Sequence, residues 1–201
     1  VRILRPPPIS TVVPTPICSN LLAHLRAVEF IGAQQHEDWF WVFEDDIAIH
    51  PQVTPFVVKN SILEFMALTR NHTQYQRKIA YLGGCRFNTD FEKFTTLSTG
   101  IPLSQSCFLC AHAYGLHSSS IQSFLQDIRQ NSIPPLSDVC DSVKKGRRPF
   151  DYYVKTQCSR VHSERSILIG SGYRSPIKRF QSSHHGLLYQ DRDFHTPIIG
   201  L

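Results

Sequence analysis

Hydrophobic residues along this chain alternate between two spacings, one helical and one extended. Leu21, Leu22, Leu25, Val28 and Ile31 fall near the i, i+4, i+7 rhythm of one helical face, which predicts an amphipathic helix over residues 20–35 with Ser19 or Asn20 as its cap. After a short polar turn comes Trp39-Phe40-Trp41-Val42-Phe43, a run of large apolar residues that reads as a buried strand over residues 39–44. Pro51 and Pro55 punctuate its exit, and Val58, Ile62, Phe65, Met66 and Leu68 supply the apolar side of a second helix over residues 55–70. Residues 79–82 read as a short strand stopping at Gly83-Gly84, residues 85–105 as a long loop, and residues 107–116 as another strand. A helix capped by Ser118 to Ser120 runs to about Arg129, and Pro134-Pro135 breaks the chain. A short helix or turn over 150–158, a strand over 167–169 and a polar, His-rich tail follow. Helices alternating with buried strands make the class α/β, and no internal repeat is present.

The aromatic strand runs straight into Glu44-Asp45-Asp46. Carboxylates where a buried strand emerges stand where open α/β sheets bind ligands. Two such charges about 4 Å apart repel by roughly 4 kcal/mol at an effective dielectric near 20. A divalent cation, Mg²⁺ or Mn²⁺, relieves that repulsion and often also holds a substrate phosphate. Along an extended chain Glu44 and Asp46 share one side and Asp45 faces the other, whereas a turn after Asp45 lets Asp45 and Asp46 converge. Asp46 is the favoured ligand, with Glu44 or Asp45 second. In the competing account one of the three caps the next turn or pairs with an arginine.

Composition narrows the classes. With 201 residues, 41% hydrophobic and 18% charged, the chain is long enough for one substantial core and is not of disordered type. A net charge of +5 suits an anionic ligand such as a nucleotide diphosphate. The basic residues form short clusters, Lys144-Lys145-Gly146-Arg147-Arg148 among them, rather than a stripe, which argues against nucleic acid. That cluster either attracts a diphosphate or an acidic acceptor, or is a solvated turn. No apolar run reaches the ~18 residues of a membrane span. The chain opens at Val1 with no secretory leader pattern, so a trimmed fragment is expected. Six cysteines permit disulfides, and with the Asn71-His72-Thr73 sequon they tilt towards a secretory compartment. Cys107-Phe108-Leu109-Cys110, with His112 nearby, invites a zinc reading, but no second pair has ligand spacing, and buried free cysteines in an apolar strand are expected.

Several stretches, taken in order, resemble glycosyltransferase family 25, which contains bacterial lipooligosaccharide galactosyltransferases and procollagen galactosyltransferases. They are Leu22-Ala23-His24-Leu25-Arg26, Phe43-Glu44-Asp45-Asp46, Tyr81-Leu82-Gly83-Gly84, Ala111-His112-Ala113-Tyr114-Gly115-Leu116, Phe150-Asp151-Tyr152-Tyr153 and the segment from His185 to Arg192. The resemblance covers roughly residues 17–192. Ala23 stands where the family usually has serine, and the family's first strand and helix, which help hold the sugar nucleotide, are not found before Pro6.

The resemblance implies a GT-A-like (Rossmann-like) mixed sheet flanked by helices, incomplete at its amino terminus. It divides the chain into an extended proline-rich lead-in (1–17), a transferase domain (18–192) and a tail (193–201). The implied activity is inverting, metal-assisted transfer of a hexose, by default galactose, from a UDP-sugar to a hydroxyl of a glycan or protein. Mn²⁺, or Mg²⁺, is the metal, held by Glu44, Asp45, Asp46 and His185. Gly83 and Gly84 lie against the donor or simply end a strand.

By the same resemblance Asp151 is the candidate to take the acceptor proton, with Tyr152 and Tyr153 on a sugar face. The alternatives are a helix-start aspartate at 151 and Asp90 as the base. His24 is expected to be a helix-packing histidine, and His184 and His185 are either ligands or satisfied side chains. The compartment is the ER or Golgi lumen in a eukaryote and the cytoplasm in a bacterium. Two other classes compete: an inactive relative serving as a binding or assembly module, and an unrelated metal-dependent phosphohydrolase or nucleotidyltransferase. The latter needs further acidic ligands, and Asp90, Asp151 and Asp191 are isolated.

Overall fold

The computed structural model describes residues 16–34, 38–76, 79–86, 92–131, 166–178 and 184–191. Helix α1 (Pro16–Gly32) leads into strands β1 (Trp39–Phe43) and β2 (Ile47–Ile49), then helices α2 (Pro55–Arg70) and α3 (Thr73–Gln76). Strands β3 (Ala80–Arg86), β4 (Glu92–Thr96), β5 (Pro102–Ser106) and β6 (Phe108–His117) follow, then helix α4 (Ser118–Asn131). Strands β7 (Ser166–Ile169), β8 (His184–Gly186) and β9 (Leu188–Gln190) close the described chain.

The main sheet has the order β1-β6-β3-β7-β5-β4, with β8 also paired to β3, and β2 pairs with β9 in a second, two-stranded sheet. β3 runs parallel to β7 and antiparallel to β6 and β8, so the sheet is mixed. Strand alternation sorts its two faces. Ala80, Leu82, Ala113, Ile167 and Ile169 join Val58 and Phe65 of α2 in one buried cluster. Tyr81 and Tyr114 point the other way, where the Tyr114 hydroxyl meets His24 of α1. α1 packs on α4 through Gly32, whose carbonyl accepts from Gln122 Nε2 at 3.0 Å. The fold is therefore an α/β sheet flanked by helices, compatible with a Rossmann-like arrangement.

Helices with local signals fall where the sequence predicts them. α2 spans residues 55–70 because Thr54 accepts the Val57 N–H and Pro55 pre-sets the first turn. α1 begins four residues before the expected start, at Pro16, so Ser19 and Asn20 lie inside it and are not its caps. Proline is tolerated there because a first-turn N–H has no intrahelical partner in any case.

Strand expectations need more correction. β1 is not a central buried strand but the edge of the sheet, where Trp39 is buried and Phe43 is 39% exposed. Its aromatic character is spent on one face: Trp39 packs edge-on against Phe65 at 4.9 Å and donates Nε1–H to Thr69 Oγ1 at 2.8 Å. β3 does not stop at Gly83-Gly84 but continues to Arg86.

The supposed loop over 85–105 holds the β4–β5 hairpin, closed by the Leu97 N–H to Ile101 carbonyl bond and by Gly100 at φ +79. The polar tail contains β8 and β9, and Leu187 and Leu188 are core residues. Cys85 and Cys107 are each in a disulfide, which replaces the expectation of a free thiol at Cys107. The breaks and turns expected over 134–135, 144–148 and 150–158 lie outside the described residues. Among those described, no helix is long and apolar enough to cross a membrane.

Phe65 is fully buried beneath Trp39 and Trp41. Phe65→Ala should lower unfolding free energy by about 3–5 kcal/mol in urea titration, the cost of an unfilled aromatic site.

Candidate functional site

The three carboxylates sit where β1 leaves the main sheet. The Glu44 N–H still bonds the His112 carbonyl of β6 at 2.9 Å, one step past the Phe43–Ala113 pair. The chain then turns at Asp45 and Asp46 and enters β2, which pairs with β9. Ladder geometry thus holds Glu44, whereas the second sheet holds Asp46.

Each carboxylate goes its own way. Glu44 lies on the α1 face, where its Oε1 is 3.1 Å from His24 Nε2. The other ring nitrogen of His24 is 3.1 Å from the Tyr114 hydroxyl. Burial and the neighbouring Tyr81 and Glu44 push the Tyr114 phenol well above its ordinary range, so it keeps its proton. A His24 ring with its proton on Nε2 donates that N–H to Glu44 and accepts the Tyr114 O–H at Nδ1. Asp45 is exposed.

Asp46 is half-buried. Its Oδ2 accepts from Gln190 Nε2 at 2.8 Å and its carbonyl accepts the Asp191 N–H at 2.7 Å, while Oδ1 is buried with no hydrogen-bond partner. Burial raises the Asp46 pKa, the Gln190 bond opposes that, and Glu44 and Asp45 raise it further.

Gly83 is explained by close packing. A Cβ there would meet the Leu188 carbonyl oxygen at 2.1 Å and His112 Nε2 at 2.7 Å. Opposite it in register is Gly186, at φ +134, a conformation that side chains resist. Gly84 pairs with His185, which is buried in β8. His112 is buried with neither ring nitrogen hydrogen-bonded. Desolvation lowers its pKa to about 4, with Glu44 opposing and His184 reinforcing the shift.

The arrangement brings Glu44, His24, Tyr114, His112 and Gly83 into one neighbourhood, and Asp46 with Gln190 into the adjoining one. It does not gather Glu44, Asp45 and Asp46 around a point. Among the described residues no group of three or more His, Cys, Asp or Glu side chains is arranged to hold a metal ion. Towards a metal ion the described residues offer one feature, the buried and partnerless Oδ1 of Asp46, and no assembled ligand set.

Asp151, Asp90 and the basic cluster lie outside the described residues. Sequence reasoning treated His24 as a packing histidine; the structure gives it two hydrogen bonds, one to the acidic triplet. It missed Gln190 as a partner of Asp46, although both lie in motif stretches.

Gly83→Ala should abolish recovery of folded protein, read by circular dichroism, because the carbonyl it strikes is sheet backbone. Because the folded pKa of His112 lies below its ordinary 6.5, the unfolded chain takes up a proton in acid that the native protein refuses. The His112 contribution to stability is whole above pH 6.5 and drains away as the pH falls towards 4, by of order 3 kcal/mol. Thermal melts over that window should show the decline, and His112→Leu should flatten it.

Comparison with protein-family models, with curated proteins and with solved structures finds no match for this chain.

Proposed function

We propose that this chain is the core of a nucleotide-sugar transferase of the glycosyltransferase family 25 kind, on a GT-A-like sheet. It moves a hexose from a UDP-sugar to a hydroxyl of a glycan or protein. One observation supports the reading: stretches far apart in sequence, each resembling a family motif, meet around the end of β1. His24 reaches both Glu44 and the Tyr114 hydroxyl, the His112 carbonyl holds the Glu44 backbone, Gln190 holds Asp46, and Gly83 abuts Gly186 and Leu188. A chance scatter of motif-like words gives no reason for such convergence.

In this reading Asp46, helped by Asp45, holds Mn²⁺ or Mg²⁺ together with the donor diphosphate. When bound, the ion neutralises charge on the departing diphosphate. Gln190 holds one oxygen of Asp46, and the other is buried without a hydrogen-bond partner. His24 fixes Glu44 as a support rather than a ligand. Asp151 is the base that takes the acceptor proton as the hydroxyl attacks, by its motif match. The disulfide-bonded Cys85 and Cys107 favour an oxidising lumen such as the ER or Golgi. The second reading, an inactive binding or assembly module, is favoured by the absence of a three-ligand group among the described residues.

Asp46→Asn decides between them. The substitution keeps an oxygen for Gln190 and removes a half-buried charge whose ionisation opposes folding above its raised pKa. Its melting temperature at pH 7 should therefore equal or exceed that of the wild type. UDP-sugar turnover with Mn²⁺ should fall by about 100-fold or more. Undiminished turnover in the variant removes the metal role. Failure of the wild-type chain to bind UDP and Mn²⁺ in calorimetry supports the module reading.

A further inference from the structure

We infer that Asn71 carries an N-linked glycan. Asn71-His72-Thr73 is the one Asn-x-Ser/Thr sequence in the 201 residues. The motif alone is common, but two independent features of the fold support it.

The first is the local geometry. Asn71 is the exposed residue that ends α2, at φ −98 and ψ 6. The turn that follows is held by other groups. The backbone N–H groups of Asn71 and His72 bond the Thr69 carbonyl, and Gln76 Nε2 bonds the carbonyls of Thr69 and Arg70, both at 3.3 Å. The carboxamide of Asn71 enters none of these bonds, so derivatising it removes no support from the fold.

The second is redox state. Cys85 and Cys107 are disulfide-bonded, and disulfides persist in the oxidising compartments where N-glycosylation takes place.

The reaction needs a lipid-diphosphate oligosaccharide, supplied by the secretory lumen. The Asn71 side-chain nitrogen forms a bond to C1 of the first sugar. The C1–O bond to the diphosphate breaks, the lipid diphosphate leaves with the electron pair, and the amide gives up one proton. The inference is independent of the transferase reading.

The test is expression of the full chain behind a signal sequence in a eukaryotic host, with the denatured product treated with peptide-N-glycosidase. The wild type should lose mass, with residue 71 converted to aspartate in the peptide map. Asn71→Gln and Thr73→Ala should each lack the glycosidase-sensitive mass, and Thr73→Ser should keep it. Because the readout uses denatured chain, it holds even if a variant folds poorly. A wild-type chain recovered from the lumen without such mass overturns the inference, as does mass that persists in Asn71→Gln and Thr73→Ala.

Discussion

The approach of β3 to the β8–β9 segment at Gly83 is the contact on which the rest of the molecule depends. The Leu188 carbonyl and the His112 ring occupy the space a side chain at 83 would need, and Gly186 faces it at a positive φ. Only backbone this bare comes so close. The consequence is topological. β8 becomes a strand of the main sheet, Leu187 and Leu188 enter the core, and β9 is carried to where β2 can pair with it. The second sheet, and with it the position of Asp46, follows from two glycines.

Electrostatics completes the picture. A chain that crowds three carboxylates must neutralise them, separate them or bind a cation. Here Glu44 and Asp46 are drawn to different sheets and partnered singly, and Asp45 stays exposed. Glu44 stays with the main sheet and takes a histidine; Asp46 departs with the second and takes an amide. The price is a carboxylate oxygen and a histidine ring buried without partners, Asp46 Oδ1 and His112. Buried polar atoms left unsatisfied cost stability and cluster where a protein has a use for them.

The acidic triplet is legible in the sequence, and its side-chain partners are not. The acidic triplet stands out because Trp39 to Phe43 is so apolar and ends so abruptly. What Glu44 touches is invisible there, because His24 is twenty residues earlier on a helix, and the Tyr114 hydroxyl that meets His24 is ninety residues further on, on a strand. Alternation along an extended chain puts Glu44 and Asp46 on one side; the turn at Asp45 and Asp46 breaks that alternation. The hairpin of β4 and β5 escapes notice for a related reason. Its residues are largely polar, and only Leu97, Ile101 and Leu103 plug into the core, too few to print a period.

Sequence alone determined the α/β class and the span of α2. Caps, proline placement and a 3.6-residue period act within a few neighbours, and α2 has all three. Tertiary structure decided that β1 is an edge strand, that β3 runs through its glycines, and that the tail supplies two strands. It also decided which partner each carboxylate takes. Strand neighbours and side-chain partners are chosen between segments tens of residues apart, by packing and hydrogen bonding that no local pattern encodes.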